Sequence, residues 1–412
     1  MGKLKGNPHA WMALIAMCLT ALYVGGIGWN CISLYFPPII EEWGVTRTEV
    51  SLVVTILSTI HMIIATFAFG QIASRIGIRK MLVIGGILNT AGFIVMAMSN
   101  NIPMLYVGAA LFGTGIGFTS NSTYNTALTK WFKKNQSTMI SIVATTSSVV
   151  GIVSATVVNA IIASAGWRTG FLITAAIAAV CCIAGFFLYK GEPEKLGELP
   201  MYAEEETAEE TVAEAEDGVS FKRFLTSAQG WMLIVAWLFI GIAGYVIQGN
   251  LALFANDYGY AAHAGTLLSV LLATCAIFMP IAGRICDKLG SKWMVFIGMG
   301  AVVINCAILR FTTPPIAMMY VIAILAGFSW DANIVPVAKS ILESSGNREF
   351  SKKTGVLVGM QAFGVALAPT VFNMFYDFGG QTYDVGLIFM AILAIIVMIL
   401  FIFGTRPIKS EK

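Results

Sequence analysis

Twelve apolar runs, each long enough to cross a lipid bilayer, leave this chain few folds to choose from. A helix rises about 1.5 Å per residue, so roughly 20 apolar residues cross the hydrocarbon core. Runs of that kind centre on 11–36, 49–70, 80–99, 103–127, 138–163, 169–189, 230–255, 264–284, 292–310, 316–338, 354–376 and 385–404. Inside lipid no water is available to the backbone, so runs like these fold as helices. Only 11% of the 412 residues are charged, against about 25% in a water-soluble domain. The first run, from near Trp11, is followed at once by another apolar run and by no cleavage-site pattern, which makes it a span rather than a secretory signal.

A basic hairpin occurs twice between these runs, as Gly70-Gln71-Ile72-Ala73-Ser74-Arg75-Ile76-Gly77-Ile78-Arg79-Lys80 and as Gly283-Arg284-Ile285-Cys286-Asp287-Lys288-Leu289-Gly290-Ser291-Lys292-Trp293. Its recurrence marks an internal duplication. The one long connection, 191–229, carries Glu204, Glu205, Glu206, Glu209, Glu210, Glu214, Glu216 and Asp217. Such a like-charge run is expected to be a disordered linker, ending in a short amphipathic piece at Phe221, Phe224 and Leu225. The expected organisation is therefore an all-α integral membrane protein of twelve transmembrane helices in two pseudo-symmetric six-helix bundles. These are 1–190 and 230–412, with the acidic linker 191–229 between them.

Cation placement gives an expected orientation. Of the 25 lysines and arginines, all but Arg47, Arg168 and Arg310 fall on one side of the twelve-span layout. By the positive-inside rule that side is cytoplasmic, with both termini and the linker. The seven cysteines lie in or at the ends of apolar runs and form no CxxC pair, so they are expected to pack as small hydrophobes rather than bind metal. No cofactor is expected. Pro280, Pro336 and Pro369 inside spans free backbone carbonyls, which suits helices beside other protein or a water-filled cavity.

The repeated loop resembles the Gly-x-x-x-Asp-Arg-x-Gly-x-Arg-Lys hallmark of the major facilitator superfamily. The first copy matches at Gly70, Arg75, Gly77, Arg79 and Lys80, the second at Gly283, Asp287, Gly290 and Lys292. Trp131-Phe132-Lys133-Lys134, Gly166-Trp167-Arg168 and Glu42-Trp43-Gly44-Val45-Thr46 resemble the monocarboxylate and oxalate/formate branch. The resemblance implies alternating access between two six-helix bundles, with Gly70, Arg75, Gly77, Arg79, Gly283, Asp287, Gly290 and Lys292 as a cytoplasmic gate. Two positions depart from the family: Ser74 stands at the loop's aspartate, and Ala109 at a frequent fourth-helix arginine. The first implies a weaker gate on that side; the second weakens assignment to antiporters built on that arginine.

A carrier needs polar groups near mid-membrane. Tyr23, Gly26, Asn30 and Ser33 fall at i, i+3, i+7 and i+10 and are expected to form one stripe on the first helix. The fourth offers Asn121, Tyr124 and Asn125; the fifth offers Thr145, Thr146, Ser147 and Ser148. Tyr245, Gln248 and Asn250 belong to the seventh, Trp330 and Asp331 to the tenth, Gln361 to the eleventh. From these the substrate-binding set is Tyr23, Asn30, Ser33, Asn121, Tyr124, Asn125, Tyr245, Gln248, Trp330, Asp331 and Gln361. Each also has a purely structural reading as an interhelical hydrogen-bonding or packing group. Asp331 lies deep in its span, where a carboxylate faces a cavity, binds a neighbouring helix, or reaches toward Lys339. Asp331 and His61 are the proton-coupling candidates.

No span carries a deep lysine or arginine, the usual partners of a bound dicarboxylate. A dianion is thereby disfavoured, while a monoanion carried with a proton, a neutral polar solute and a weak base all remain open. No phosphate-binding glycine loop or nucleophile–base set is present. The leading expectation is a secondary transporter for a small organic acid, proton-coupled or exchanging, working as a monomer in the cytoplasmic membrane with no nucleic-acid partner. Efflux of amphipathic or weakly basic compounds is the second reading, drawing on 20 methionines and 26 phenylalanines. A transporter-like sensor is the third.

Overall fold

A computed structural model describes residues 7–132, 136–201 and 218–408. The acidic run 204–217 lies outside the described residues, as do Lys3, Lys5, Lys133, Lys134, Lys409 and Lys412. Among the described residues, eleven helical segments are long and apolar enough to cross a membrane. The run 47–76 completes the twelve. It is built from Arg47–Ile63, a π-helical turn Ile64–Ala68 and Phe69–Ile76; Glu49 in the first turn and His61 near the end of its first piece make it more polar than the rest.

We number the spans α1 (Pro8–Trp29), α2 (47–76), α3 (Ile78–Ala97), α4 (Ile102–Trp131), α5 (Gln136–Ala165) and α6 (Trp167–Leu188). The second half contributes α7 (Ala228–Asp257), α8 (Ala264–Leu289), α9 (Ser291–Phe311), α10 (Ile316–Ser345), α11 (Phe350–Phe378) and α12 (Asp384–Gly404). Side-chain caps start several of them. Asn7 Oδ1 accepts from the His9 amide at 3.0 Å, Asn101 Oδ1 from Met104 at 2.9 Å, and Ser227 Oγ from Gly230 at 3.0 Å. Each satisfies an N–H that the helix itself leaves unpaired. The two repeated hairpins have matching backbones: Gly77 lies at φ 79, ψ 156 and Gly290 at φ 91, ψ 166. Only glycine enters that region freely.

Besides α2 with its π-helical turn, three spans are irregular. In α1 the helix widens into a π-helical stretch, Leu22–Trp29, followed by a 3-10 turn, Ile32–Tyr35. Glycines there let α5 come close: a Cβ on Gly25 would lie 2.2 Å from Ser147 Oγ. This corrects the expected stripe, which assumed 3.6 residues per turn. Tyr23, Asn30 and Ser33 do not share one face through such a stretch. The span α10 breaks at Pro336, between Ile316–Ile334 and Val337–Ser345. Pro280 and Pro369, in contrast, sit inside continuous helices. The third break, in α4, borders the candidate site.

The chain forms two compact units, 1–32 with 59–212 and 33–58 with 213–412. In the first, Trp131 at the end of α4 organises the segment after α6. Its indole donates to the Gly191 carbonyl at 3.1 Å, and its carbonyl accepts from the Met201 amide at 2.9 Å. Glu192 pairs with Lys130 at 3.1 Å, and Glu198 accepts from Asn7 at 2.9 Å and meets His9 at 2.7 Å. In the second, the short helix Phe221–Thr226 is capped by Ser220. It is tied by its Phe221 amide to Glu349 at 2.7 Å. The expectation of disorder is thus corrected over 191–201, which finds backbone and ionic partners, while the expected amphipathic piece is the helix Phe221–Thr226.

The second unit also holds 33–58, from the first half of the sequence. Arg47 pairs with Asp257 at 2.8 Å and lies 3.8 Å over the Tyr376 ring. It also donates to the Tyr383 hydroxyl, which in turn donates to Asp257. Nearby, the Thr48 amide donates to Asp377 at 2.8 Å and Thr55 donates to the Ala366 carbonyl at 2.7 Å.

Candidate solute-binding site

The first unit carries a partly open cavity of about 230 Å³. Its polar wall is made by His61 of α2, Thr119, Ser120, Asn121 and Tyr124 of α4, and Ser147 of α5; Trp29 closes one side, its ring 6.5 Å from that of His61. Among the described residues, none that lines it is an aspartate, glutamate, lysine or arginine. Three sequence-predicted residues, His61, Asn121 and Tyr124, are therefore brought together. Trp29, Thr119 and Ser120 were missed.

The break in α4 explains why Asn121 faces the cavity. The first half ends at Phe118 and the second runs Asn121–Trp131. Thr119 Oγ1 donates to the Gly115 carbonyl at 2.8 Å and accepts from Asn89 at 3.2 Å; Thr123 Oγ1 donates to the Phe118 carbonyl at 2.7 Å. The Gly115 carbonyl thus accepts the Thr119 hydroxyl beside the Thr119 amide at 3.1 Å, while the Phe118 carbonyl takes a hydroxyl where an unbroken helix would offer it an amide. The signal was legible in Thr119-Ser120-Asn121-Ser122-Thr123, five consecutive residues that compete with a helix for its backbone.

The other first-unit candidates lie elsewhere. Tyr23 is buried with its hydroxyl near Gly86 of α3. Asn30 ends the π-helical stretch, and Asn125 is exposed one turn past Asn121. None of the three lines the cavity. Ser33 is buried in the second unit.

In the second unit, Tyr245 and Trp330 meet with ring centroids 5.6 Å apart. Gln248 and Gln361 are buried, and Asp331 is fully so. Both Asp331 carboxylate oxygens, with Gln248 Oε1 and Gln361 Nε2, have no hydrogen-bond partner among the described residues. The reach toward Lys339 is thereby corrected. A bare charge buried like this costs several kcal/mol unless something neutralises it.

At the predicted gate, Arg79 stacks 4.6 Å over Phe186. Arg75, Asp287 and Lys292 are exposed and make no ion pair among the described residues. Gly70 and Gly283 lie inside helices with open space beside them. The carboxylate attached to the second hairpin is Glu343, unforeseen from sequence. It accepts from the Ser291 amide at 3.2 Å and from the Ser291 hydroxyl, so it caps α9.

The profile described as Major Facilitator Superfamily matches residues 17–274 and 251–412. The chain belongs to that superfamily. Its helices follow the twelve-helix superfamily fold. The crystal structure of the nucleoside transporter NupG is similar with a TM-score of 0.77 at 12% identity, over 96% of this chain and 98% of that one. Monocarboxylate transporter 4 of Gallus gallus is 23% identical over 82% of this chain and 71% of its own. The oxalate:formate antiporter of Oxalobacter formigenes is 22% identical over 79% and 75%. This superfamily member is accordingly a multi-pass membrane transporter.

Proposed function

We propose that the protein carries a small monocarboxylate-type organic acid across the cytoplasmic membrane by alternating access, as a monomer, with its cation-rich side and both termini cytoplasmic. The observation that carries this reading is the cavity: hydrogen-bonding side chains without a fixed charge, around about 230 Å³. Pockets for drug-sized ligands run to roughly 300–1,000 Å³, so the volume suits a small solute better than a bulky amphipathic one. The similarity to a monocarboxylate transporter supports the same class. Proton coupling or exchange is assigned to His61 on the cavity and to Asp331, whose buried carboxylate has no hydrogen-bond partner among the described residues and needs a neutralising proton or cation.

The test is thermal stabilisation of the purified protein by acids, amides, polyols and amines at about pH 5.5 and 7.5, with Asp331→Asn alongside. Stabilisation by a monocarboxylate that strengthens at the lower pH, and changes in the variant, is the expected result. Stabilisation by amines or bulky apolar compounds alone would sink the organic-acid reading in favour of efflux.

A further inference from the structure

An acid-binding site normally supplies a cation, and none is among the described residues that line this cavity. The break in α4 supplies a different electropositive group. Asn121–Trp131 is an 11-residue helix whose first turn opens at the cavity wall. The first N–H groups of any α-helix have no intrahelical acceptor and carry about half a positive charge between them. Here the N-cap residue leaves them uncapped: Ser120 makes no side-chain capping bond. Its hydroxyl, on a residue only 7% exposed and lining the cavity, has no hydrogen-bond partner among the described residues. A buried donor left unmade is costly. At the other side of the break, Thr119 and Thr123 do bond the carbonyls that end the first half. Only the anion-seeking end is left open.

We propose that this helix start is the carboxylate subsite of the cavity, holding a small monoanion through Ser120 Oγ–H and the backbone N–H groups of Asn121 and Ser122. The inference rests on the monocarboxylate reading above and adds where the charged end of the solute sits. It also accounts for the missing cation: a helix start and one hydroxyl supply enough positive potential for one carboxylate, and too little for two.

The test uses the full-length protein, with acetate, lactate and pyruvate as probes and acetamide and lactamide as neutral isosteres, read as melting-point shift against ligand concentration. Ser120→Ala should weaken acid binding on the order of tenfold to a hundredfold, the value of one hydrogen bond to a charged group. Ser120→Asp places a tethered carboxylate on the same N–H groups, so it should abolish acid binding while the unliganded melting point holds or rises. Asn121→Pro deletes one of the donors, and proline suits a first helical position. The preceding residue already has the extended backbone that a following proline requires, with Ser120 at φ −81, ψ 179. Asn121→Pro should bind acids about tenfold more weakly than the Asn121→Ala control, which keeps the N–H. The neutral amides, lacking the charge, should stabilise the wild type less than the matching acids.

Wild-type protein stabilised by acids, with Ser120→Asp and Asn121→Pro stabilised to the same degree, overturns the subsite and leaves the monocarboxylate reading standing. Wild-type protein that no acid stabilises overturns both. If Ser120→Asp does not fold, the comparison of Asn121→Pro with Asn121→Ala decides.

Discussion

Arg47 shows how one residue gathers chemistry that sequence spacing cannot. It is one of three cations on the cation-poor side, and it meets Asp257, Tyr376 and Tyr383 from helices about two and three hundred positions away. Its side chain is 12% exposed and that of Asp257 23%, so solvent screens the pair in part. Arg47→Gln should cost about 1–2 kcal/mol after that discount. Asp257→Asn should cost a similar amount. The double variant should cost less than the sum in a thermal double-mutant cycle; strict additivity would show that the pair is not coupled. A second residue-scale expectation concerns pH. The Asn7 amide, and after it His9, hold the Glu198 carboxyl below its ordinary range. The contribution of Glu198 is therefore complete above about pH 4.3 and is lost as pH falls through the lowered folded value. Glu198→Gln should melt below wild type near neutrality, and the two curves should converge in acid. A difference that persists at the lowest pH would mean that the contact is not ionic.

Elements were legible wherever one local rule governed them. The twelve apolar runs became twelve helical spans because lipid leaves the backbone no other option. The repeated hairpins formed matching turns because Gly77 and Gly290 supply a positive φ. Gly290→Ala should therefore cost about 1–3 kcal/mol. Its new Cβ would also sit 3.1 Å from Glu343 Oε1. Gly283→Ala, inside a helix with open space beside it, should instead be neutral or stabilising by up to about 1 kcal/mol. Melting of the two variants side by side checks the contrast, and equal losses would remove the backbone explanation. The first-helix stripe failed because it assumed a uniform helical period where glycines admit a wider turn and the close approach of α5. The break in α4 had a signal in five consecutive cap-forming residues, yet hydropathy alone ran straight through it.

The described ends of 191–229 are each tied to one unit, through Trp131 and Glu198 on one side and Glu349 on the other. Replacing 203–216 by a glycine–serine stretch of equal length should leave the uptake rate in proteoliposomes unchanged. A correctly inserted but inactive replacement would give the run a regulatory role. By itself, the sequence determined what depends on composition and local pattern: a membrane solvent, twelve spans, an internal duplication and the absence of a deep fixed cation. Only the tertiary structure decided which polar residues share a space. It set His61, Asn121 and Tyr124 beside Ser120 and Trp29, moved 33–58 into the unit of the second half, and left Asp331 without a hydrogen-bond partner among the described residues. The physical reason is that a side chain's neighbours across helices depend on local helix period and close approach, and both are set by packing rather than by spacing along the chain.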